Sequence, residues 1–295
     1  MKNCKTSIIH NRTWLLIIPV FALLCGCAHE ELISNQARVN LNFSILKPVT
    51  SSASELKMYL YNSQGKLYGS YPCDTVNSLT LDLPFDTYKF VTCNSDAANT
   101  SFSGGETVGT LQANLGETKS VTTYTPPGWL YGTNERSFVL TPAGLNDKYI
   151  LKPFTKILNI FFKIDSNSKV SIAPQTAYIS NANATLDMST GKAVSTTAGQ
   201  LNYLLKGGVN YTETFLFWGA ADASTPCKLS FPVLYSGGTV KICEADLSEA
   251  IKKIDESITV AIQIEIVPET TSVKATVSVI PWSNAGNAGG NVNVF

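Results

Sequence analysis

The sequence predicts an all-β protein built as two β-sandwiches in tandem, with one short helix in the second. Three observations carry this. Short segments in which apolar and polar residues alternate recur along the chain, separated by turn-forming residues about every ten positions. Only the stretch around Leu247, Ile251 and Ile254 sets apolar residues at helical spacing. Cutting before Cys27 leaves 269 residues, enough for two medium-sized cores.

The first element is a leader. Residues 1–12 carry Lys2, Lys5 and Arg12 and no acid, and an apolar run of 11 residues follows from Trp14 to Leu24. That run is shorter than the ~20 residues needed to span a bilayer, so it reads as a signal peptide, residues 1–26. Leu24-Cys25-Gly26-Cys27 then has the pattern of a lipoprotein signal cut before a cysteine, which makes Cys27 the lipidation site. Cys25 fits less well, because Leu24 would occupy the small-residue position. Several acyl chains give stable anchoring where one does not. Residues 27–37 form a tether; Glu30 and Glu31 in it read either as a surface-export signal or as plain solvated residues.

The first sandwich is expected over residues 38–147. Val39, Leu41, Phe43 and Ile45 alternate with polar residues, and the strand ends at Pro48. Residues 55–61 and 66–71 form a hairpin across the turn cluster Asn62-Ser63-Gln64-Gly65. Leu79, Leu81 and Leu83 are expected to pair with Tyr88, Phe90 and Thr92, since setting Leu83 opposite Tyr88 aligns the apolar side chains on one face. Residues 94–105 read as a surface loop, and 121–124 and 137–140 as short strands either side of Pro126-Pro127-Gly128.

A junction is expected at Asn146-Asp147-Lys148, with the second sandwich over residues 148–295. Residues 157–164 are a dense apolar run suited to a central strand, followed by 181–187, 214–218 and a hairpin over 227–244. Asp246 and Glu249 have capping-box spacing before the helix. Ile258 to Ile266 alternates strictly, and Val273, Ala275, Val277 and Val279 answer it after a turn, as in an antiparallel hairpin with one buried face.

Composition excludes several classes of function. Removing the three basic residues of the leader leaves 19 basic against 22 acidic residues, a net charge of −3 that argues against nucleic-acid binding. His10 leaves with the leader and His29 lies on the tether, so the folded part has no histidine for a catalytic triad or an imidazole-bound metal. Paired carboxylates could still hydrolyse a glycoside, but no spacing points to such a pair. No cofactor and no metal site are expected.

Four cysteines remain in the folded part, in an oxidising compartment that permits disulfides. Cys73 with Cys93 is the expected bridge. A two-residue loop at Gly237-Gly238 would set Cys243 opposite Pro232 and point Cys227 and Cys243 to opposite faces. They are then free thiols, unless the register differs.

Several stretches resemble the fimbrillin-like lipoproteins, the subunits and anchors of type V pili. Residues 56–68 (LKMYLYNSQGKLY) resemble that family's early hairpin, and residues 83–91 (LPFDTYKFV) its second, with Thr87 where a glycine is usual. Residues 130–133 (LYGT), 181–191 (NANATLDMSTG) and 279–282 (VIPW) are similar to further family positions. The resemblance implies two transthyretin-like, Greek-key sandwiches and a structural or adhesive role. It also implies an outer-membrane, surface-exposed location, with other fimbrial subunits and host or bacterial surface ligands as partners.

In the stalk pilins of that family an arginine-directed protease removes a first strand, and a neighbour's strand fills the groove. Beyond the leader this chain has only Arg38 and Arg136. Arg38 is the candidate cleavage site, but cutting there would release the tether without opening a groove, which favours an accessory, anchor or tip subunit over a stalk pilin. Arg38 reads equally as a solvated tether residue. Val292, Val294 and Phe295 follow a Gly-rich leader and form either a donor strand or, as local pairing favours, this chain's own last strand. Tyr124, Trp129 and Tyr131 are the candidate glycan-stacking residues, with core packing as the alternative. Trp218, after Phe215 and Phe217, reads as core.

Overall fold

A computed structural model describes residues 35–46, 55–118, 122–165, 167–194, 198–256, 259–268 and 273–280. The leader, Cys27, Trp282 and the tail residues Val292, Val294 and Phe295 lie outside the described residues. Among the described residues the chain is all-β with one short helix, as the alternation predicts. The first eleven strands are β1 (Gln36–Ile45), β2 (Leu56–Tyr61), β3 (Leu67–Pro72), β4 (Ser78–Pro84), β5 (Thr87–Asn94), β6 (Thr100–Ser103), β7 (Gln112–Leu115), β8 (Thr123–Tyr124), β9 (Tyr131–Gly132), β10 (Arg136–Val139) and β11 (Leu145–Pro153). Then come β12 (Lys156–Ile164), β13 (Val170–Ile172), β14 (Thr176–Asn183), β15 (Thr185–Asp187), β16 (Lys192–Ala193), β17 (Ala198–Leu204), β18 (Tyr211–Phe217), β19 (Lys228–Tyr235) and β20 (Val240–Asp246). Helix α1 (Ser248–Glu256) precedes β21 (Thr259–Pro268) and β22 (Val273–Ile280).

Alternation in β1 buries Val39, Leu41 and Phe43. They face β2 and β5 across a first core, where the Phe90 ring meets Phe43 at 6.4 Å and Tyr149 at 4.9 Å. One layer runs β4-β1-β11 and the other β3-β2-β5, with β10 also on β5; short β9 bonds to both β5 and β11 and joins the layers at a corner. The second core lies between β18-β12-β21-β22 and β13-β19-β14-β17, where Phe162 meets Phe231 at 5.3 Å and Tyr203 meets Phe215 at 4.5 Å. Burying each such ring contributes about 1.5–3 kcal/mol relative to exposure.

Both bodies open in the same way. β1 runs parallel to β11 and is flanked on its other side by β4. β12 runs parallel to β21 and antiparallel to β18. No residue-level repeat announces this correspondence. The bodies are also joined by a sheet of order β16-β15-β7-β6, in which Asn114 of β7 pairs with Thr185 of β15. Described residues from Ala37 onward form one compact unit.

Four local expectations change, besides the surface loop read at 94–105, which contains β6 paired with β7. The junction at 146–148 lies inside β11, where Asn146, Asp147 and Lys148 pair with Asn40, Leu41 and Asn42. β11 runs on to Pro153, and only Phe154-Thr155 separates it from β12. Second, β4 and β5 bury the expected face but are not partners. The hydroxyls of Ser78 and Thr80 donate to Asn42 and Asn40 of β1 at 2.8 and 3.0 Å, while β5 pairs with β2. The four residues between Leu83 and Tyr88 carry the chain from one layer to the other.

Third, Cys73 and Cys93 are free. The Cys73 N–H donates to Leu56 of β2, while Cys93 pairs with Lys57 on the opposite side of that strand. Two strand spacings, about 9–10 Å, separate them, beyond the ~7 Å limit for a disulfide. Fourth, Cys243 sits opposite Phe231 instead of Pro232. Tyr235 and Thr239 close a three-residue loop with Gly238 at φ 78°, a bulged turn that shifts the register by one and turns both sulfurs inward. Cys227 and Cys243 are free thiols, but not because they face apart, since the register differs and both point inward.

The helix forms where expected. Asp246 accepts from the Ser248 N–H and hydroxyl at 2.9 and 2.6 Å, which lowers its carboxyl pKa, and Leu247, Ile251 and Ile254 are buried.

Candidate functional site

The candidate site residues fall in three places. Arg38 lies inside β1, not ahead of it, and its guanidinium makes a two-point pair with Asp82 of β4 at 3.1 and 3.3 Å. The hydrogen bond and charge of Asp82 raise its pKa. The Arg38 carbonyl lies 2.7 Å from where a side-chain carbon on Gly144 would stand, so backbone packs tightly here. A cut after Arg38 would therefore divide a paired strand instead of a tether.

The three glycan-stacking candidates do not form one surface. Tyr131 is fully buried in the first core, and Tyr124 is 7% exposed in the second, over Gly199. Only Trp129 is half-exposed, stacked on Tyr131 at 6.0 Å. Around Trp129 and Tyr131, after Pro126-Pro127-Gly128, buried polar side chains hold the backbone in place of regular structure. Asn94 donates to the Trp129 carbonyl at 3.0 Å and accepts the Tyr131 N–H at 2.7 Å. The Thr155 hydroxyl accepts the Leu130 N–H at 3.0 Å and donates to the Gly128 carbonyl at 2.8 Å. Trp218, read as core, is 4% exposed and donates to the same hydroxyl.

Burial sets the chemistry of the thiols. Loss of solvation pushes Cys73, Cys93 and Cys227 up to about 12 and raises Cys243. Such thiols stay protonated and weakly nucleophilic. Among the described residues no group of His, Cys, Asp or Glu could hold a metal ion.

What remains is edge. Among the described residues β22 pairs with β21 alone, turns Ala275 and Val277 onto the core, and exposes Lys274, Thr276, Ser278 and Val279. β18, the other end of that sheet, carries Glu213 on its core-facing side. Desolvation raises the Glu213 carboxyl pKa against the opposing pull of Lys206 and its backbone N–H. An inward charge of this kind guards a strand against pairing, and β22 has none.

The sequence profile of the fimbrillin-A associated anchor proteins Mfa1 and Mfa2 matches residues 39–287, from the first buried residue of β1 past the end of β22. The chain belongs to this family. Membership implies a fimbrial accessory or adhesive role at the cell surface, alongside other fimbrial subunits. The fold is similar to that of a candidate adhesin from Bacteroides ovatus, at 15% identity and a TM-score of 0.60, over 77% of this chain and 89% of that one. A candidate polysaccharide-binding protein from Bacteroides thetaiotaomicron gives 11% identity and 0.59, over 84% and 99%. The fimbrial anchor protein Mfa2 from Porphyromonas gingivalis gives 13% identity and 0.54, over 84% and 98%. No curated protein matches the chain.

Proposed function

We propose that the protein is a non-enzymatic anchor or accessory subunit of a fimbria, held at the outer membrane by acyl chains on Cys27 and joined to neighbouring subunits by β-strand addition. The observation that carries this reading is the anchor-family match across both layered bodies. Three features support it. The lipobox precedes β1 by only a short tether, the chain beyond His29 lacks histidine, and β22, an edge strand among the described residues, is followed in sequence by the alternating tail. Arg38 lies near the start of β1, so proteolysis after it would leave Val39–Ile45 paired with β11 and open no groove for a donor strand, which disfavours the stalk role.

Two variants test the proposal. In cells, Cys27→Ala is expected to move the protein from the membrane to the soluble envelope fraction; full membrane retention would refute lipid anchoring. Deleting residues 290–295 is expected to lower folding stability, as for a strand of the protein's own sheet. Unchanged stability together with loss of co-purifying subunits would instead make Val292, Val294 and Phe295 a donated strand.

A further inference from the structure

The sheet β18-β12-β21-β22 is apolar on both sides. Leu158, Ile160, Phe162 and Ile164 of β12 enter the second core, but Ile157 and Phe161, on the opposite side of the strand, are only 6% and 7% exposed. Ala261 of β21, at 4%, shares that outer face, since it pairs with Asn159. None of the three belongs to either core, whereas the helix residues Leu247, Ile251 and Ile254 do. A strand apolar on both sides belongs between two layers, so this face calls for a further segment over it.

A polar group makes the same demand. Asn159, between Ile157 and Phe161, is 5% exposed; its Oδ1 accepts from the Thr214 hydroxyl at 2.7 Å, but its Nδ2 is buried with no partner among the described residues. An unpaired buried amide is costly, and a main-chain carbonyl laid across the face would satisfy it.

The chain itself supplies such a segment. β22 ends at Ile280, which pairs with Ala261, so residues 281–295 start at the rim of this face. Pro281 has no N–H to continue the ladder, and Trp282 follows at once with an indole able to cover about 150–250 Å². Crossing the three strand spacings of the sheet takes about 14 Å, roughly five extended residues, and 15 run from Pro281 to Phe295. The apolar strip stops where Lys163 and Glu265 pair in solvent at 3.1 Å, which confines the seat to the end of the sheet where β22 finishes. The N-terminal segment, by contrast, leads into β1 of the first body. We propose that the segment after β22 turns back over the outer face of its own sheet, with Trp282 seated on Ile157, Phe161 and Ala261 and a main-chain carbonyl accepting from the Asn159 Nδ2. This seat is separate from the pairing of residues 290–295, and either can fail alone.

The test is a double-mutant cycle on the whole protein as isolated from cells, read by urea midpoints. Trp282→Ala and Phe161→Ala are each expected to lower the midpoint, and Trp282→Ala to lower it far less once Phe161 is gone, because substitutions of residues in contact do not add. If Phe161→Ala does not fold, Ile157→Val takes its place in the cycle. In a Trp129→Phe background, acrylamide is expected to quench Trp282 as slowly as the buried Trp218. Three results would each overturn the proposal: an unchanged midpoint in Trp282→Ala, additive effects in the cycle, or a readily quenched emission component that disappears in Trp282→Phe. Shielding of Trp282 that is lost on dilution would give the seat to a second copy of the chain, and shielding lost on deletion of residues 28–34 would give it to the tether; both would overturn it as well.

Discussion

Trp218 and Thr155 meet at the seam of the molecule: the indole N–H of Trp218 donates to the Thr155 hydroxyl at 3.3 Å. That hydroxyl also accepts the Leu130 N–H and donates to the Gly128 carbonyl, so one buried side chain ties three segments. Thr155→Val keeps the shape and leaves two donors and an acceptor unmatched. The expected loss is about 2–4 kcal/mol, read as a lower urea midpoint at unchanged slope. Thr155→Ser keeps the hydroxyl and should lose less.

Gly132 has ordinary strand dihedrals, yet a side-chain carbon there would stand 2.4 Å from the Phe154 ring. Gly132→Ala should therefore destabilise the protein by about 1–3 kcal/mol through displacement of that ring. Gly238→Ala meets nothing within 4 Å and strains only its φ of 78°, so the expected cost is about 1 kcal/mol. Thermal unfolding of both variants measures the difference.

Because Arg38 sits between two paired neighbours, an arginine-specific protease should not cut after it in the folded protein. Cleavage should appear only as urea opens the first body. Mass spectrometry of timed digests reads this out. The Arg38–Asp82 pair is exposed, with side chains 66% and 55% accessible, and Asp82→Asn should leave the urea midpoint nearly unchanged.

The thiols and several tyrosines predict a pH dependence. Burial pushes Cys73, Cys93 and Cys227, and Tyr59, Tyr88 and Tyr149, up to about 12, from ordinary values near 9 and 10. Above pH 9 the unfolded chain loses these protons while the folded one keeps them, so the unfolded state binds fewer protons and stability falls as pH rises toward 12. Urea midpoints at pH 8, 10 and 11 should decrease in that order. Alkylation of Cys93 at pH 8 should require unfolding.

The sequence by itself determined the class of fold, the buried faces of alternating strands such as β1, β4, β5 and β21, the turn at Asn62-Ser63-Gln64-Gly65 and the helix after Asp246. Each of these is local: side-chain alternation has period two, a cap or turn needs only a few residues, and both leave marks in the sequence. Tertiary structure alone decided which strands are neighbours. Leu83 and Tyr88 face the core as expected but belong to different layers, and Cys73 and Cys93 stand either side of β2. The parallel pairs β1 with β11 and β12 with β21 join residues about a hundred positions apart, and the sheet that welds β7 to β15 across the two bodies joins residues about seventy apart. A strand's pattern records that one side is buried but not what buries it, since any apolar face of matching length offers nearly the same burial energy. The same ambiguity hid Tyr124 and Tyr131, whose rings could stack on a ligand or fill a core; packing put Tyr131 inside the first core and Tyr124 inside the second, over Gly199.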